Sequence, residues 1–198
     1  TGMDAESFFG MLATVLPRED RVPFDAFPWR PAVHPIFFAH RVRGLPSGIY
    51  LLVRDPSAEE PLRSALDADF EWSQPAGCPR DLPLYRLAAG DFRRPARIVS
   101  CDQEIASGGA FAVAMLAEWE PRLREEGAHA YRRLHWEAGA LGHVLYLEAE
   151  AVGLRGTGIG CFLDDLVHEM LGISDRRFQT RDHFTVGGPV EDPRLRDA

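Results

Sequence analysis

Tyr131-Arg132-Arg133-Leu134-His135-Trp136-Glu137-Ala138-Gly139-Ala140-Leu141-Gly142-His143-Val144-Leu145-Tyr146-Leu147-Glu148-Ala149-Glu150-Ala151-Val152 is the longest periodic run in the chain. Tyr131, Leu134, His135, Ala138, Leu141, Leu145, Ala149 and Val152 recur at intervals of three and four, the period of an amphipathic helix. The spacing predicts one long helix over 128–152, closed by Gly153, that crosses the core as the backbone of the scaffold. Leu154 to Phe162 follows, containing Gly156-Thr157-Gly158-Ile159-Gly160. Asp164-Asp165 then reads as an acidic cap before a second helical pattern of Leu166, Val167, Met170 and Leu171.

Upstream, Gly109 to Trp119 is a continuous apolar run of strand length and predicts a buried central strand. Ile36 to Arg43 and Ile49 to Arg54 are β-prone runs separated by Gly44-Leu45-Pro46-Ser47-Gly48, the punctuation of a hairpin. Asp4 precedes Phe8, Phe9, Met11, Leu12 and Val15, which predicts a short capped helix stopped at Pro17. Val22 to Pro35, rich in Pro and aromatics, reads as an ordered loop packed on the body. Ser57 and Glu60 form a capping box ahead of Leu62 and Leu66. Residues 71–97 carry Pro and Gly without a period and are expected to form a long, partly ordered excursion. His183 to Gly187 is expected to be a short closing strand.

With 198 residues and 45% hydrophobic content, the chain suits a single domain over 1–198 with enough apolar surface to offset chain entropy. The net charge of −8 speaks against a nucleic-acid or anionic-membrane surface, which would need a basic field. All 22 basic residues are arginine, so a lysine Schiff base, a P-loop lysine and a lysine general base are all excluded. No apolar run approaches the roughly 20 residues that span a bilayer, and no signal peptide pattern opens the chain. Cys78, Cys101 and Cys161 are odd in number and widely spaced, which predicts neither a redox pair nor a zinc set and fits a reducing cytoplasm.

Few constellations carry chemistry. The glycines of 156–160 let backbone N–H groups approach an anion or planar ring closely, although a turn that needs small residues explains them as well. It is no dinucleotide fingerprint, because no strand feeds it. The histidines lack any H-E-x-x-H pattern, so no metal site is expected. His135 and His143, both on the long helix, are candidates to face a pocket and move protons, against the plainer reading of hydrogen-bonded helix residues. Ser100-Cys101-Asp102-Gln103 reads as a helix start capped by Ser100 or Asp102, and Glu125-Glu126 as a solvated face.

The ordered series from Tyr131 to Leu154, Gly156 to Gly160, Asp164-Asp165 and Leu171-Gly172 resembles the nitroreductase superfamily, most of all its SagB-type dehydrogenase branch. Val42-Arg43-Gly44-Leu45-Pro46-Ser47-Gly48-Ile49-Tyr50 looks like the hairpin of that branch. The resemblance spans roughly residues 36 to 190. It implies an α+β fold with a central, mostly antiparallel sheet flanked by helices and a long core helix. It further implies FMN held at a subunit interface of a homodimer, or against a second nitroreductase-like domain. Two-electron transfer would run from NAD(P)H, or directly from a small-molecule substrate. Gly156, Thr157, Gly158, Ile159 and Gly160 map onto the flavin-proximal segment, and Arg194 onto the basic residue that grips the phosphate. The family's Arg-Arg-Ser-x-Arg opening has no counterpart before Met3, and Glu125 and Glu126 stand where azoline-oxidising members carry Lys-Tyr. Two expectations follow: an FMN-dependent oxidoreductase, or a degenerate, flavin-free domain that completes a partner.

Overall fold

The computed structural model describes residues 2–19 and 21–189. In chain order these form β1 (Met3–Asp4), α1 (Ala5–Thr14), β2 (Val33–Ala39), β3 (Val42–Arg43), β4 (Gly48–Leu52), α2 (Glu59–Ala65), β5 (Leu84–Ala89), α3 (Arg93–Val99), α4 (Ile105–Gly108), β6 (Phe111–Glu118), α5 (Glu120–Glu126), α6 (Ala130–Ala151), β7 (Arg155–Ile159), α7 (Asp164–Leu171) and β8 (Phe178–Gly187). Six strands form one sheet in the order β5-β4-β2-β6-β8-β7, every neighbour antiparallel. This is the expected α+β architecture.

The sheet separates two cores. On one face Phe37, Phe111, Val113, Phe184 and Val186 pack against Phe8 and Leu12 of α1 and Leu134, Ala138, Leu141 and Leu145 of α6. On the other, Ile36, Phe38, Ala114 and Phe178 meet Leu62 of α2, Ala96 of α3 and Val167 and Leu171 of α7. Phe8 stands edge-on to Phe37 at 5.6 Å and to Phe111 at 5.3 Å, an arrangement the ring quadrupoles favour. β6 is buried along its whole length because it lies mid-sheet between both helical layers.

Local signals held where short-range chemistry decides. Asp4 caps α1 by accepting the N–H of Ser7 at 2.8 Å. α6 ends where Gly153 turns left-handed at φ +72°, and β2 pairs with β4 as predicted, except that β2 stops at Ala39 and Val42–Arg43 pairs with β1 instead of extending it. Other readings needed correction. The 71–97 excursion contains β5, which pairs with β4, and the start of α3. The cap of the next helical segment is Asp55, which accepts from Ser57 N, in place of the Ser57–Glu60 box. Asp164 and Asp165 lie inside the first turn of α7, behind Leu163 at the N-cap. Neither Ser100 nor Asp102 caps α4, whose N-cap is Glu104. The 22–35 loop is ordered but includes a 3-10 turn at Phe24–Ala26 and the first residues of β2. Cys101 and Cys161, 60 residues apart, are joined by a disulfide with Cα atoms 5.8 Å apart, which leaves Cys78 free. Sequence spacing alone could not bring them together; the sheet does. No described helix is long and apolar enough to cross a membrane.

Candidate active site

Gly156 to Ile159 form the outer edge of the sheet rather than a turn. Gly156 pairs with Val186, Thr157 with Thr185, Gly158 with Phe184 and Ile159 with His183, and among the described residues no strand covers the other side of β7. The glycines have different reasons to be there. A Cβ on Gly156 would stand 2.6 Å from the Phe184 ring, so that glycine serves packing. Gly158 donates its N–H to Tyr146 Oη at 2.8 Å, away from β8, so the even-numbered residues turn their backbone groups to the open edge. Gly160 is exposed and has nothing within 4 Å of a would-be Cβ. Arg194 lies outside the described residues.

β7 covers only the second half of β8. Beyond the Ile159–His183 pair, β8 continues back through Asp182, Arg181 and Thr180 with β6 on one side and, among the described residues, no strand on the other. Here the register slips: Met115 faces Asp182 and Leu116 faces Thr180, leaving Arg181 as the extra residue of a β-bulge. A bulge re-aims the side chains around it, and it does so next to several titratable groups. The Arg181 guanidinium lies 4.2 Å over the Trp119 ring, while its Nε is buried with no hydrogen-bond partner among the described residues. Thr180 Oγ1 and His183 Nε2 are buried and unpartnered in the same way.

Burial sets the protonation of this cluster. It lowers the His183 imidazole to about 4, and the ring is stacked on Phe162 at 4.8 Å with Nδ1 3.1 Å from Ser100 Oγ. Burial also lowers His135, aided by the Arg181 charge, and lowers His168, whose Nε2 accepts the Thr180 N–H at 3.1 Å. The Asp182 carboxyl moves the other way, raised by burial against the opposing pull of the His183 N–H and His135. A cleft of about 710 Å³, lined by Trp119, His168, Phe178 and Gln179 among others, adjoins the bulge. The arrangement sets a guanidinium, imidazoles whose charged form burial disfavours and a carboxyl whose ionisation burial disfavours beside an open backbone edge, groups able to hold a polar ring or anion.

The sequence pointed to His135 as a residue to face a pocket, but not to Arg181, Asp182, His168 or His183. Three consecutive polar residues, Arg181-Asp182-His183, inside a strand were the available signal. His143 is exposed on α6. Among the described residues no group of His, Cys, Asp or Glu is placed to hold a metal ion.

The model of the Nitroreductase family matches residues 50–188, from β4 through β8. The chain belongs to the nitroreductase family. Among solved structures, a putative nitroreductase from Anabaena variabilis has a similar fold, with TM-score 0.71 and 20% identity over 96% of this chain and 34% of that one. A chain of the E. coli microcin synthetase McbBCD complex, determined with truncated pro-MccB17 bound, follows at 0.66 and 15%, covering 97% of this chain and 66% of that one. A putative nitroreductase from Ralstonia eutropha gives 0.63 and 12%, covering 97% and 76%. This nitroreductase-family chain thus spans about a third of the Anabaena protein and about two thirds of the microcin synthetase chain. No curated protein matches it.

Proposed function

We propose that this chain is part of an FMN-dependent oxidoreductase that moves two electrons as hydride, with the β7 edge and the Arg181 bulge forming its reaction site. The observation that carries the reading is the set of three buried, unpartnered polar atoms beside a glycine-bearing edge strand, in a chain of the nitroreductase family. The residues fit the ring of a flavin: open space at Gly160, exposed backbone along the edge, and unsatisfied donors where it ends. They offer no free phosphate grip at the start of β7, since Arg155 is held by Glu150 and the Leu154 carbonyl. That role falls to Arg194.

FMN would supply hydride chemistry at its N5. Gly156, Thr157, Gly158, Ile159 and Gly160 would line it with backbone, and Arg181 would hold an anionic or electron-rich group. Asp182 and His135 would keep and pass the proton that accompanies each hydride. The donor is NAD(P)H or the small-molecule substrate itself. The exposed Trp136, Tyr146 and Leu147 of α6 are apolar surface for a homodimer or a second nitroreductase-like domain. The acidic chain acts without nucleic acid or membrane, in the cytoplasm.

A second reading has its own support: Gly158 N–H is taken by Tyr146 and Gly156 is required by Phe184, so the glycines need no flavin. The chain would then complete a partner domain. The visible absorbance spectrum with and without added FMN, followed by size exclusion, separates the two. Flavin bands on a dimer are expected; a colourless protein that ignores excess FMN overturns the oxidoreductase reading and leaves the partner domain.

A further inference from the structure

Cys161 directly follows Gly160, at the point where the chain leaves the sheet. Its disulfide partner Cys101 lies in the turn between α3 and α4. Cys161 is exposed and Cys101 half-buried, so a thiolate from solvent reaches the bridge. Beyond the bridge, few bonds hold this segment to the turn: Gln103 Nε2 donates to the Cys161 carbonyl at 3.4 Å, and Leu163 N to the Val99 carbonyl at 2.8 Å. Cys101 and Asp102 both adopt left-handed backbone, at φ +53° and +59°, a conformation non-glycine residues seldom take in succession. Arg97 steadies that turn by donating to the Asp102 carboxylate at 2.7 Å.

The neighbours of the two cysteines meet as well. Ser100 bonds His183 and Phe162 stacks on it, so the bridge joins the two residues adjacent to those that enclose that ring. We propose that Cys101 and Cys161 form a reducible dithiol–disulfide site, taken by a small or protein dithiol, that latches the end of the glycine strand and keeps Phe162 closed over His183. One thiolate of the dithiol attacks Cys161 Sγ and Cys101 leaves as thiolate. The second thiol then displaces Cys161, so that cystine gains two electrons and the reagent closes into its own disulfide. Cys78 takes no part: burial pushes its thiol up to about 11, so it stays protonated. The latch stands whether or not a flavin sits on β7.

The test is thiol labelling of the native full chain with iodoacetamide, mapped by mass spectrometry, before and after dithiothreitol, with amide hydrogen exchange on both states. Cys101 and Cys161 are expected to label only after dithiothreitol, with no denaturant. Exchange over 160–163 should then rise by about tenfold while α6 is unchanged. The Cys101→Ser/Cys161→Ser variant should exchange fast in both conditions. Labelling without reductant, protection that persists until the chain unfolds, or exchange over 160–163 that ignores the bridge would each overturn the proposal.

Discussion

Glu137 and His135 are two residues apart on α6 and so face different sides of the helix, onto two kinds of polar interior. Glu137 meets a closed network. Its carboxylate accepts the N–H groups of Ala32 and Val33 at 3.0 and 3.2 Å and pairs with the Arg54 guanidinium. Arg54 in turn donates to the Val15 and Val33 carbonyls, at 2.7 and 3.0 Å. His135 faces the Arg181 bulge, where Arg181 Nε, Thr180 Oγ1 and His183 Nε2 are buried without partners among the described residues. A buried polar group with every bond made ties elements together; one left bare costs stability and calls for a reason to be kept. Bare atoms also occur elsewhere, at His34 Nε2, His40 Nδ1 and Asp55 Oδ2, but at the bulge three fall within four consecutive residues of one strand.

The largest expected effect lies in the closed network. Glu137→Leu removes the carboxylate paired with a fully buried guanidinium and strands two backbone N–H groups, which should destabilise the chain by about 3–5 kcal/mol. Urea unfolding measures it. A loss under about 1 kcal/mol would mean that water reaches Arg54 and that the two interiors are less different than they look.

The bulge side should show itself in pH. Burial lowers His183 from 6.5 to about 4 in the folded chain. Above pH 6.5 the ring is neutral folded or unfolded and adds no pH dependence. As pH falls from 6.5 towards 4 the unfolded chain binds the proton first, so stability drops, reaching about 3 kcal/mol at the limit. His135 and His168 are lowered too and act in the same direction. Unfolding midpoints at pH 7.5 and 5 should therefore fall, and His183→Gln should flatten the fall. An unchanged slope in the variant would place the His183 ring in contact with water.

How far each region could be read in advance follows from the range of its interactions. α6 and β6 were legible because 3.6-residue periodicity and an unbroken apolar run are local properties of the chain. β5 was not: six residues among prolines and glycines carry no period, and their strand comes from pairing with β4. The glycine segment was marked for the close approach of a ligand, whereas what the fold asks of Gly156 is room for the Phe184 ring, a fact of register. The Arg181 bulge depends on a slip between β6 and β8, and the Cys101–Cys161 bond on folding two distant turns together, neither of which is written in neighbouring residues.

The smallest effect on stability should come from Arg181, and it sharpens the comparison most. Replacing it by Met keeps a long side chain on Trp119 and removes a buried Nε that no described residue satisfies. The lost cation–π contact and the relieved desolvation oppose each other at about 1 kcal/mol each, so the unfolding midpoint should stay nearly fixed. Arg181→Met should nevertheless weaken FMN or substrate retention, read from flavin absorbance after gel filtration, because the group it removes is bare in the folded chain. If it instead unfolds the protein as Glu137→Leu does, Arg181 is a structural tie like Arg54, and the bulge has no claim to be the site.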